Sequence, residues 1–413
     1  MGMQHIDNLV LVFSSPTPVR PKRTMSPLYV LTLLLFPLAS LSITLKNATT
    51  VTYIPPDSSN GTTGVEFTSS MFNFDSPRVN YFNISSWDWW YFDALDLNSN
   101  ASVVIVLFAA PSAAFPWKTP TNLTSVSLEV TAPSGTILLA AQMDANGATM
   151  TTERGKDGAS GDWEGTGVSF RSEEGMNRYI VSVDSPELGI AGEMILNTVA
   201  PSHYPCTSNI ANADTQIIPT IGWANAIPDS NASAHFTIRD ESTNSTQVVD
   251  FSDGIGYHDK NWGSTHFSEA TRGWEWGHAR VGPYSVVWFD AVDWDNAEYV
   301  SGYVARDGEI VSAGCHAGSV KARPLVSDGL EGDFPPLANS SVPKGFSLDF
   351  EMADGGIFTV ETSNDVPLAG TGSYRRWLGG LTGGLGGNAE IFEGRGLWEM
   401  FNIPLLLEEL NGH

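Results

Sequence analysis

Short apolar stretches separated by turn-forming residues run through the chain from Thr44 onward. Stretches such as Val103–Phe108, Ser125–Thr131 and Tyr284–Val292 are rich in β-branched and aromatic residues, and turn formers interrupt them every roughly 8 to 12 residues. The 40 Gly and 24 Pro suit the tight turns that such short strands need. Only Leu405–Leu410 has the pattern of a short helix. The sequence therefore predicts an all-β fold of β-barrel or β-sandwich domains with a short C-terminal helix.

A repeated segment indicates that the chain holds two β domains. Trp90–Asp96 (WYFDALD) is matched by Val287–Asp293 (VWFDAVD), with chance similarity between aromatic-rich strands as the alternative. At 413 residues the chain is also long for a single hydrophobic core. We predict a targeting segment over residues 1–42, an N-terminal β domain over residues 43–235 and a C-terminal β-barrel domain over residues 236–413.

Acidic side chains dominate the charge of the protein. There are 46 Asp and Glu against 21 Lys and Arg, which gives a formal net charge of −25. This excess opposes binding to polyanions such as nucleic acids and anionic lipid head groups. We therefore expect no nucleic-acid partner, and a small-molecule ligand that is neutral or hydrophobic.

The N-terminal residues follow the order of a secretory signal. Basic residues between Arg20 and Arg23 precede an apolar run from Leu28 to Ala39, and a small-residue cleavage position follows near Ser42. The run is shorter than the about 20 residues that span a bilayer, so we predict no stable membrane span. Sequons for N-glycosylation occur at Asn47, Asn60, Asn83, Asn100, Asn122, Asn231, Asn244 and Asn339. These features predict an N-glycosylated protein of the secretory pathway, or a secreted one.

The two cysteines, Cys206 and Cys315, leave two interpretations open. An oxidising lumen permits a single disulfide between them, whereas two free buried thiols agree equally well with the sequence. Neither lies in a CxxC pair, so the sequence does not favour cysteine catalysis.

The first cluster of residues suited to chemistry is Trp87–Asp93 (WDWWYFD). Strand alternation puts Asp88 and Trp90 on one face and Tyr91 on the other. An unpaired buried carboxylate is costly, so Asp88 is either an acid in a pocket or a structurally paired residue. Both interpretations stay open.

The second cluster is Gly254–Gly263, in which four polar residues lie between two aromatic ones. Alternation puts His258 and Lys260 on one face and Asp259 and Asn261 on the other. Either face, turned inward, would place hydrogen-bonding groups in an aromatic-walled cavity of low dielectric. The alternative is a structural lock in which these groups hold neighbouring strands together.

The third cluster places Trp274, Trp276 and His278 on one face of a predicted strand, with Trp288 on the next strand. Aromatic residues at period two form either a hydrophobic core or the wall of a pocket. A core histidine is the alternative to a ligand-binding role for His278.

Several chemistries lack their sequence signatures. The chain contains no HExxH, GxSxG or calcium-loop pattern and no dinucleotide-binding fingerprint. We therefore predict neither a metal site nor a cofactor. The glycine-rich segment Gly379–Gly387 has no phosphate-binding context, and we predict a mobile loop there.

Four segments together resemble a known family. Asp88–Leu95 (DWWYFDAL), Gly256–Gly263 (GYHDKNWG), Tyr374–Trp377 (YRRW) and Phe392–Phe401 are similar to the hydroxyneurosporene synthase-like proteins and, among them, the fungal Diels-Alderases. The resemblance covers roughly residues 43–413. It implies two tandem lipocalin-like β domains with the substrate cavity in and between them. It also implies cofactor-free chemistry on a hydrophobic substrate, either a polyene or a quinone methide plus a terpene.

The function that this resemblance implies is a stereoselective [4+2] cycloaddition in fungal secondary-metabolite biosynthesis. Such a pericyclase orients its substrate and activates it by hydrogen bonds. Hydration of a terpenoid double bond and non-catalytic transport of hydrophobic metabolites are the alternatives. The candidate catalytic residues are Asp88, Tyr91, His258, Lys260 and Asn261. The candidate substrate-binding residues are Trp90, Asp259, Trp274, Trp276, His278, Trp288 and Trp377.

Overall fold

Antiparallel strands make up nearly all of the regular secondary structure, as the sequence predicts. The computed structural model describes residues 48–115, 117–173, 175–240, 245–327, 329–370, 372–387 and 390–411. The predicted targeting segment, residues 1–42, lies outside the described residues. The strands form two large sheets that follow one another along the chain.

The first sheet contains the strands before residue 264. They are β1 (Thr49–Ile54), β2 (Trp87–Asp96), β3 (Ser102–Ala109), β4 (Thr124–Thr131), β5 (Ile137–Asp144), β6 (Ala148–Glu153), β7 (Ala159–Trp163), β8 (Val168–Glu173), β9 (Arg178–Ser185), β10 (Ile190–Thr198), β11 (His203–Tyr204), β12 (Thr207–Ser208), β13 (Gln216–Ile218), β14 (Ile221–Asp240) and β15 (Ser245–Gly263). The main path runs β1-β6-β7-β8-β9-β10-β14-β15-β2-β3-β4-β5, and the short strands β11, β12 and β13 attach beside β14.

The second sheet begins after the short helix α1 (Phe267–Ala270). Its strands are β16 (Gly273–Val281), β17 (Tyr284–Val292), β18 (Glu298–Arg306), β19 (Glu309–Gly314), β20 (Val320–Ser327), β21 (Leu330–Glu331), β22 (Gly345–Glu351), β23 (Ile357–Thr362), β24 (Val366–Pro367), β25 (Tyr374–Leu385) and β26 (Phe392–Asn402). The order is β19-β18-β17-β16-β26-β25-β23-β22-β20-β21, with β24 beside β25. Helix α2 (Ile403–Asn411) follows β26 and confirms the predicted C-terminal helix.

Three hydrophobic cores result from this arrangement. The first-sheet core lies where the first sheet curls on itself, so that Trp90 of β2 packs against Trp163 of β7. The second-sheet core contains Trp288 and Trp398. The intersheet core lies between the two sheets, and there the ring of Tyr91 of β2 packs against that of Trp276 of β16. Both faces of the central strands are therefore buried.

The predicted domain boundary and the crossing from the first sheet to the second lie at different places in the chain. The predicted change at residues 235 and 236 lies inside β14, and the first sheet continues to Gly263. The chain crosses to the second sheet between Gly263 and Gly273, through α1. Within Lys46–His413 the described residues form one compact unit.

The two copies of the repeated segment both form strands inside their sheets, β2 and β17. The face of the strand that points to the intersheet core differs between the two copies. Phe92 of β2 lies in the first-sheet core, whereas its counterpart Phe289 of β17 lies in the intersheet core. Tyr91 lies in the intersheet core, whereas its counterpart Trp288 lies in the second-sheet core. The repeated segments thus share a strand pattern, but their matched residues lie in different cores.

The glycine-rich segment Gly379–Gly387 is not the mobile loop that its composition predicts. Its residues up to Leu385 continue strand β25, which pairs with β23 and β26. A Cβ atom at Gly379 would lie 1.8 Å from the carbonyl oxygen of Ser363. Glycine is needed there because the neighbouring backbone approaches so closely.

A disulfide joins the two sheets. Cys206 lies between β11 and β12 of the first sheet, and Cys315 follows β19 of the second. Of the two interpretations that the sequence left open, the structure has the bonded one.

Candidate functional site

A cavity of about 710 Å³ lies between one face of β2–β5 and the part of the second sheet where β25 begins and β26 ends, beside residues 368–370, which follow β24. This volume is typical of a site for a small organic molecule. Its lining residues are Trp89, Tyr91, Val106, Phe108, Phe115, Trp117, Lys118, Thr119, Ser127, Leu128, Glu129, Ile137, Ala140, Ala141, Gln142, Leu368, Ala369, Gly370, Tyr374, Arg376, Glu399 and Phe401.

Strand register organises the floor of this cavity. Tyr91 pairs with Val106, Val106 with Ser127, and Ser127 with Gln142, so these side chains form one row across β2, β3, β4 and β5. Glu129 lies in the next row, because residues two apart on a strand share a face. The floor therefore combines apolar and polar side chains, with one carboxyl group beside the row that contains Tyr91.

Aromatic rings form the walls. The loop between β3 and β4 contributes Phe115, whose ring centroid lies 5.0 Å from that of Trp89. Trp117 of the same loop lies 4.7 Å from Phe401 of β26 and donates a hydrogen bond from Nε1 to Ser373 Oγ at 3.3 Å. Rings from both sheets and from this loop thus line the cavity.

The Glu129 carboxyl group has no hydrogen-bond partner among the described residues, and its Oε1 atom is buried. The side chain is 7% exposed. Burial raises the pKa of Glu129, and the positive charge of Arg376 only partly opposes this. A carboxyl group without donors in an apolar setting retains its proton more readily, which makes it a proton donor.

Glu399 is the second carboxyl group of the cavity, and its surroundings differ. Its Oε2 atom accepts hydrogen bonds from the Tyr374 hydroxyl at 2.7 Å and from Arg376 Nη2 at 3.3 Å. Burial raises the pKa of Glu399, whereas Arg376 and Tyr374 lower it. Two carboxyl groups in one cavity with such different partners suit separate roles.

Tyr91 and Arg376 supply hydrogen-bond donors. The Tyr91 hydroxyl is buried and has no partner among the described residues. Burial raises the pKa of Tyr91 well above its ordinary range, so the hydroxyl stays protonated. The guanidinium carbon of Arg376 lies 5.4 Å from the centre of the Tyr91 ring.

Comparison with known proteins places the chain in a family. The model of the Diels-Alderase-like family matches residues 50–323, which is more than half of the chain. The chain belongs to the Diels-Alderase-like family. The predicted resemblance is thereby confirmed.

Two relatives of this chain are named quinolone epoxide rearrangement proteins. One is asqO of Emericella nidulans, 33% identical over 348 residues, which cover 83% of this chain and 91% of that protein. The other is penF of Penicillium thymicola, 32% identical over 371 residues, which cover 86% of this chain and 95% of that protein.

Solved structures show the same fold. The crystal structure of CghA with Sch210972 matches with a TM-score of 0.71 and 16% identity, over 86% of this chain and 98% of that one. Another crystal structure of CghA matches with a TM-score of 0.70 and 17% identity. The all-β fold predicted from the sequence is thus shared with these solved structures.

Tyr91 is the one predicted site residue that lines the cavity. Asp88, Trp90, His258 and Lys260 instead turn into the interior of the first sheet. Lys260 Nζ lies 2.9 Å from Asp88 Oδ1 and 4.3 Å from the centre of the Trp90 ring. His258 donates from Nδ1 to the Tyr91 carbonyl oxygen at 2.8 Å. These contacts match the structural lock that the sequence left open.

The Asp88–Lys260 pair also holds a segment of the preceding loop. Asp88 accepts a hydrogen bond from the backbone N–H of Arg78 at 2.8 Å, and Lys260 donates to the carbonyl oxygen of Ser76 at 2.8 Å. Asp75, in the same loop, lies 3.2 Å from His258 Nε2. Four buried polar side chains therefore fix one loop inside the sheet.

The other predicted residues lie in the remaining two cores. Asp259 accepts hydrogen bonds from Trp223 Nε1 and the Tyr257 hydroxyl, both at 2.7 Å, in the intersheet core. His278 Nε2 lies 2.9 Å from Asp93 Oδ2. The predicted residues of the intersheet region are Asp259, Asn261, Trp274, Trp276 and His278. Those of the second-sheet core are Trp288 and Trp377.

Among the polar cavity residues that sequence reasoning missed are Glu129, Arg376 and Glu399. Glu129 is the only charged residue of β4, between Leu128 and Val130, and a lone acid in an apolar strand is a usable signal. Arg376 and Glu399 lie in the two C-terminal segments that carry the family resemblance. They come together only because β25 pairs with β26.

The sequons have unequal surroundings. Asn60, Asn231 and Asn339 are exposed, whereas Asn83, Asn100 and Asn122 are half-buried. Asn122 uses its Nδ2 atom, the atom that carries an N-glycan, to donate to the Ala145 carbonyl oxygen at 3.0 Å. The sequons at Asn47 and Asn244 lie outside the described residues.

Two absences apply to the described ranges. No group of three or more His, Cys, Asp or Glu residues there is placed to hold a metal ion. No helix in those ranges has the length and apolar character needed to cross a membrane.

Proposed function

We propose that the chain is a cofactor-independent enzyme of the cyclase or isomerase kind, which rearranges a neutral, hydrophobic epoxide in the cavity between the sheets. The observation that carries this proposal is the Glu129 carboxyl group in an aromatic-walled cavity, with its Oε1 atom buried and without a hydrogen-bond partner among the described residues. The names of two relatives, both quinolone epoxide rearrangement proteins, support the substrate class.

The proposed chemistry needs only a proton and a shaped site. Glu129 gives its proton to the epoxide oxygen, and one C–O bond breaks, so that positive charge develops on carbon. A neighbouring substituent migrates to that carbon with its bonding electrons. The hydroxyl proton then returns to Glu129 as a carbonyl group forms, so the product is an isomer of the substrate.

The aromatic walls serve the cationic stage of this reaction. Faces of Trp89, Phe115 and Trp117 attract positive charge through the ring quadrupole. The same rings exclude water, which would otherwise add to the cation and give a diol. Orientation of the migrating group by these walls sets the stereochemistry.

The test is incubation of the purified protein with a quinolone epoxide and analysis of the product by mass spectrometry. We expect an isomer from the wild type, and a rate reduced by about 100-fold or more in Glu129→Gln. Glu193→Gln, the same change at an exposed site of β10, is the matched control and keeps the wild-type rate. Full activity of Glu129→Gln would refute Glu129 as the acid.

Other products distinguish the alternatives raised by the sequence. A product heavier by one water would indicate a hydratase. Tight binding without any turnover would indicate a carrier of hydrophobic metabolites.

The [4+2] cycloaddition is the second candidate function, and the aromatic lining of the cavity favours it. A cycloaddition depends on holding diene and dienophile in contact and requires no proton transfer. In that case Glu129→Gln retains most of the rate on a polyene substrate, whereas Trp89→Ala loses stereoselectivity. Comparing the two variants on an epoxide and on a polyene separates the two functions.

We also propose that the protein matures in the secretory pathway with a hydrophobic small molecule as its partner. The disulfide and the exposed sequons at Asn60, Asn231 and Asn339 support this compartment. Endoglycosidase treatment of the protein from a fungal host should lower its mass, and peptide mapping should find Asn122 unmodified. Unglycosylated protein with intact exposed sequons would contradict the proposal.

A further inference from the structure

Two hydrogen-bond donors on residues that line the cavity have no acceptor among the described residues. Tyr91 of β2 and Arg376 of β25 come from different sheets, and each is more than nine-tenths buried. The Tyr91 hydroxyl and the Arg376 Nε atom are both buried without a partner among the described residues. Leaving such groups unpaired costs free energy, so their retention calls for an explanation.

The Arg376 side chain has more N–H donors than hydrogen bonds among the described residues. A guanidinium carries five N–H groups. Among the described residues, its only hydrogen bond runs from Nη2 to Glu399. Its guanidinium carbon stands 5.4 Å from the centre of the Tyr91 ring, which brings the remaining N–H groups near that residue.

We infer that Tyr91 and Arg376 form a two-donor clamp for a carbonyl oxygen of the substrate. The inference rests on the proposed function for the location of the substrate, and it specifies the substrate further, as a neutral polycyclic compound that carries a carbonyl group. Two donors on one oxygen fix its position, so the rest of the molecule is oriented against the aromatic walls. Tyr91 and Arg376 thus determine specificity, whereas Glu129 moves the proton.

The charge balance favours a neutral carbonyl over a carboxylate. Glu399 already faces the guanidinium and accepts hydrogen bonds from both Arg376 and Tyr374. A carboxylate ligand would bring a second negative charge next to Glu399, in a place where burial strengthens repulsion. A carbonyl oxygen accepts the spare hydrogen bonds without that cost.

The clamp is tested by binding, without any epoxide. Equilibrium dialysis compares N-methyl-2-quinolone, which has the carbonyl group, with naphthalene, which has the same ring size and no acceptor, and with 2-naphthoate, which is anionic. The wild type should bind N-methyl-2-quinolone most tightly. Equal affinity for naphthalene, or higher affinity for 2-naphthoate, would overturn the inference.

Variants of Tyr91 and Arg376 then test whether these two residues cause the preference for a carbonyl ligand. Tyr91→Phe removes only the hydroxyl group and should weaken N-methyl-2-quinolone binding roughly 3- to 10-fold, with naphthalene unchanged. Arg376→Lys keeps the charge beside Glu399 but loses the planar fork, and should weaken it at least as much. Tyr303→Phe, the same deletion at a hydroxyl bonded to the Pro201 carbonyl oxygen, is the control and should bind as the wild type does.

These results separate the clamp from the proposed reaction. If Tyr91→Phe weakens both ligands equally, the effect is one of packing and the clamp is refuted. Thermal unfolding of each variant shows whether it is folded, and Tyr91→Phe should match the wild type because it removes an unpaired polar group. A carbonyl preference with no turnover of an epoxide would refute the reaction and leave the clamp standing.

Discussion

Asp259 and Glu129 are buried carboxyl groups with different surroundings. Burial raises the pKa of both. Asp259 accepts two hydrogen bonds, from Trp223 and Tyr257, whereas Glu129 accepts none among the described residues. Asp259 is therefore a structural acceptor in the intersheet core, and Glu129 is available to a ligand.

The stability of the protein should depend on pH through Asp259. Burial raises its pKa from 3.8 to about 7, so the folded protein keeps a proton that the unfolded chain releases within this window. Stability therefore falls as pH rises through the window, by up to about 1.4 kcal/mol per pH unit. Urea unfolding of the wild type and of Asp259→Asn across this range checks the effect. An equal slope in the variant would contradict it.

The Asp88–Lys260 pair should behave as a buried ion pair. Lys260→Met leaves the Asp88 carboxylate inside the first sheet without its partner, and we expect a loss of about 3–5 kcal/mol in the free energy of unfolding. The double variant Asp88→Leu with Lys260→Met removes both charges and should recover part of that loss, because the Arg78 N–H and the Ser76 carbonyl oxygen still lose their partners. Chemical denaturation measures both. A double variant no more stable than the single one would argue against simple ion pairing.

At the scale of elements, strand β2 separates two environments. Trp90 and Phe92 lie in the first-sheet core, while Trp89 and Tyr91 face the second sheet and the cavity. Adjacent residues of β2 therefore alternate between a role in the first-sheet core and a role in the cavity wall. The loop between β3 and β4 completes the cavity side, because Phe115 packs on Trp89.

Two alanine variants of β2 should distinguish the core role from the cavity-wall role. Trp90→Ala opens a cavity in the first-sheet core and should cost about 3–5 kcal/mol of stability. The protein that remains folded should keep the wild-type product ratio. Trp89→Ala should change that ratio, because it removes part of the cavity wall. Product analysis at matched folded fractions checks the pair, and an altered ratio in Trp90→Ala alone would reverse the assignment.

At the scale of the whole molecule, polar and covalent links hold the two sheets together around the intersheet core. Arg280 of β16 binds Asp229 of β14 through Nε and Nη2, each at 2.8 Å. The disulfide between Cys206 and Cys315 adds a covalent link. The cavity depends on these links because its floor and its opposite wall come from different sheets.

Removal of the disulfide should lower the stability of the whole molecule. The bond closes a long loop, with a sequence separation of 109 residues. We expect Cys206→Ala with Cys315→Ala to lose about 2–5 kcal/mol, mainly because the unfolded chain gains freedom. Thermal unfolding with and without reductant measures this. Reductant should shift the midpoint of the wild type only, and an equal shift in the variant would contradict the explanation.

The sequence by itself determined the class of fold and the pairing of faces. Period-two patterns predicted strands such as β4 and β17, and alternation correctly separated His258 and Lys260 from Asp259 and Asn261. It also contained the segments that identify the family. These properties are local, because they depend on residues close together in the chain.

Only the tertiary structure decided which face borders the cavity. Both faces of β2 and β15 are buried, one inside the first sheet and one between the sheets, so an apolar pattern of period two cannot rank them. Arg376 and Glu399 meet because β25 pairs with β26, and Glu129 joins them through the packing of the first sheet on the second. Such a meeting joins distant parts of the chain, and no local pattern records it.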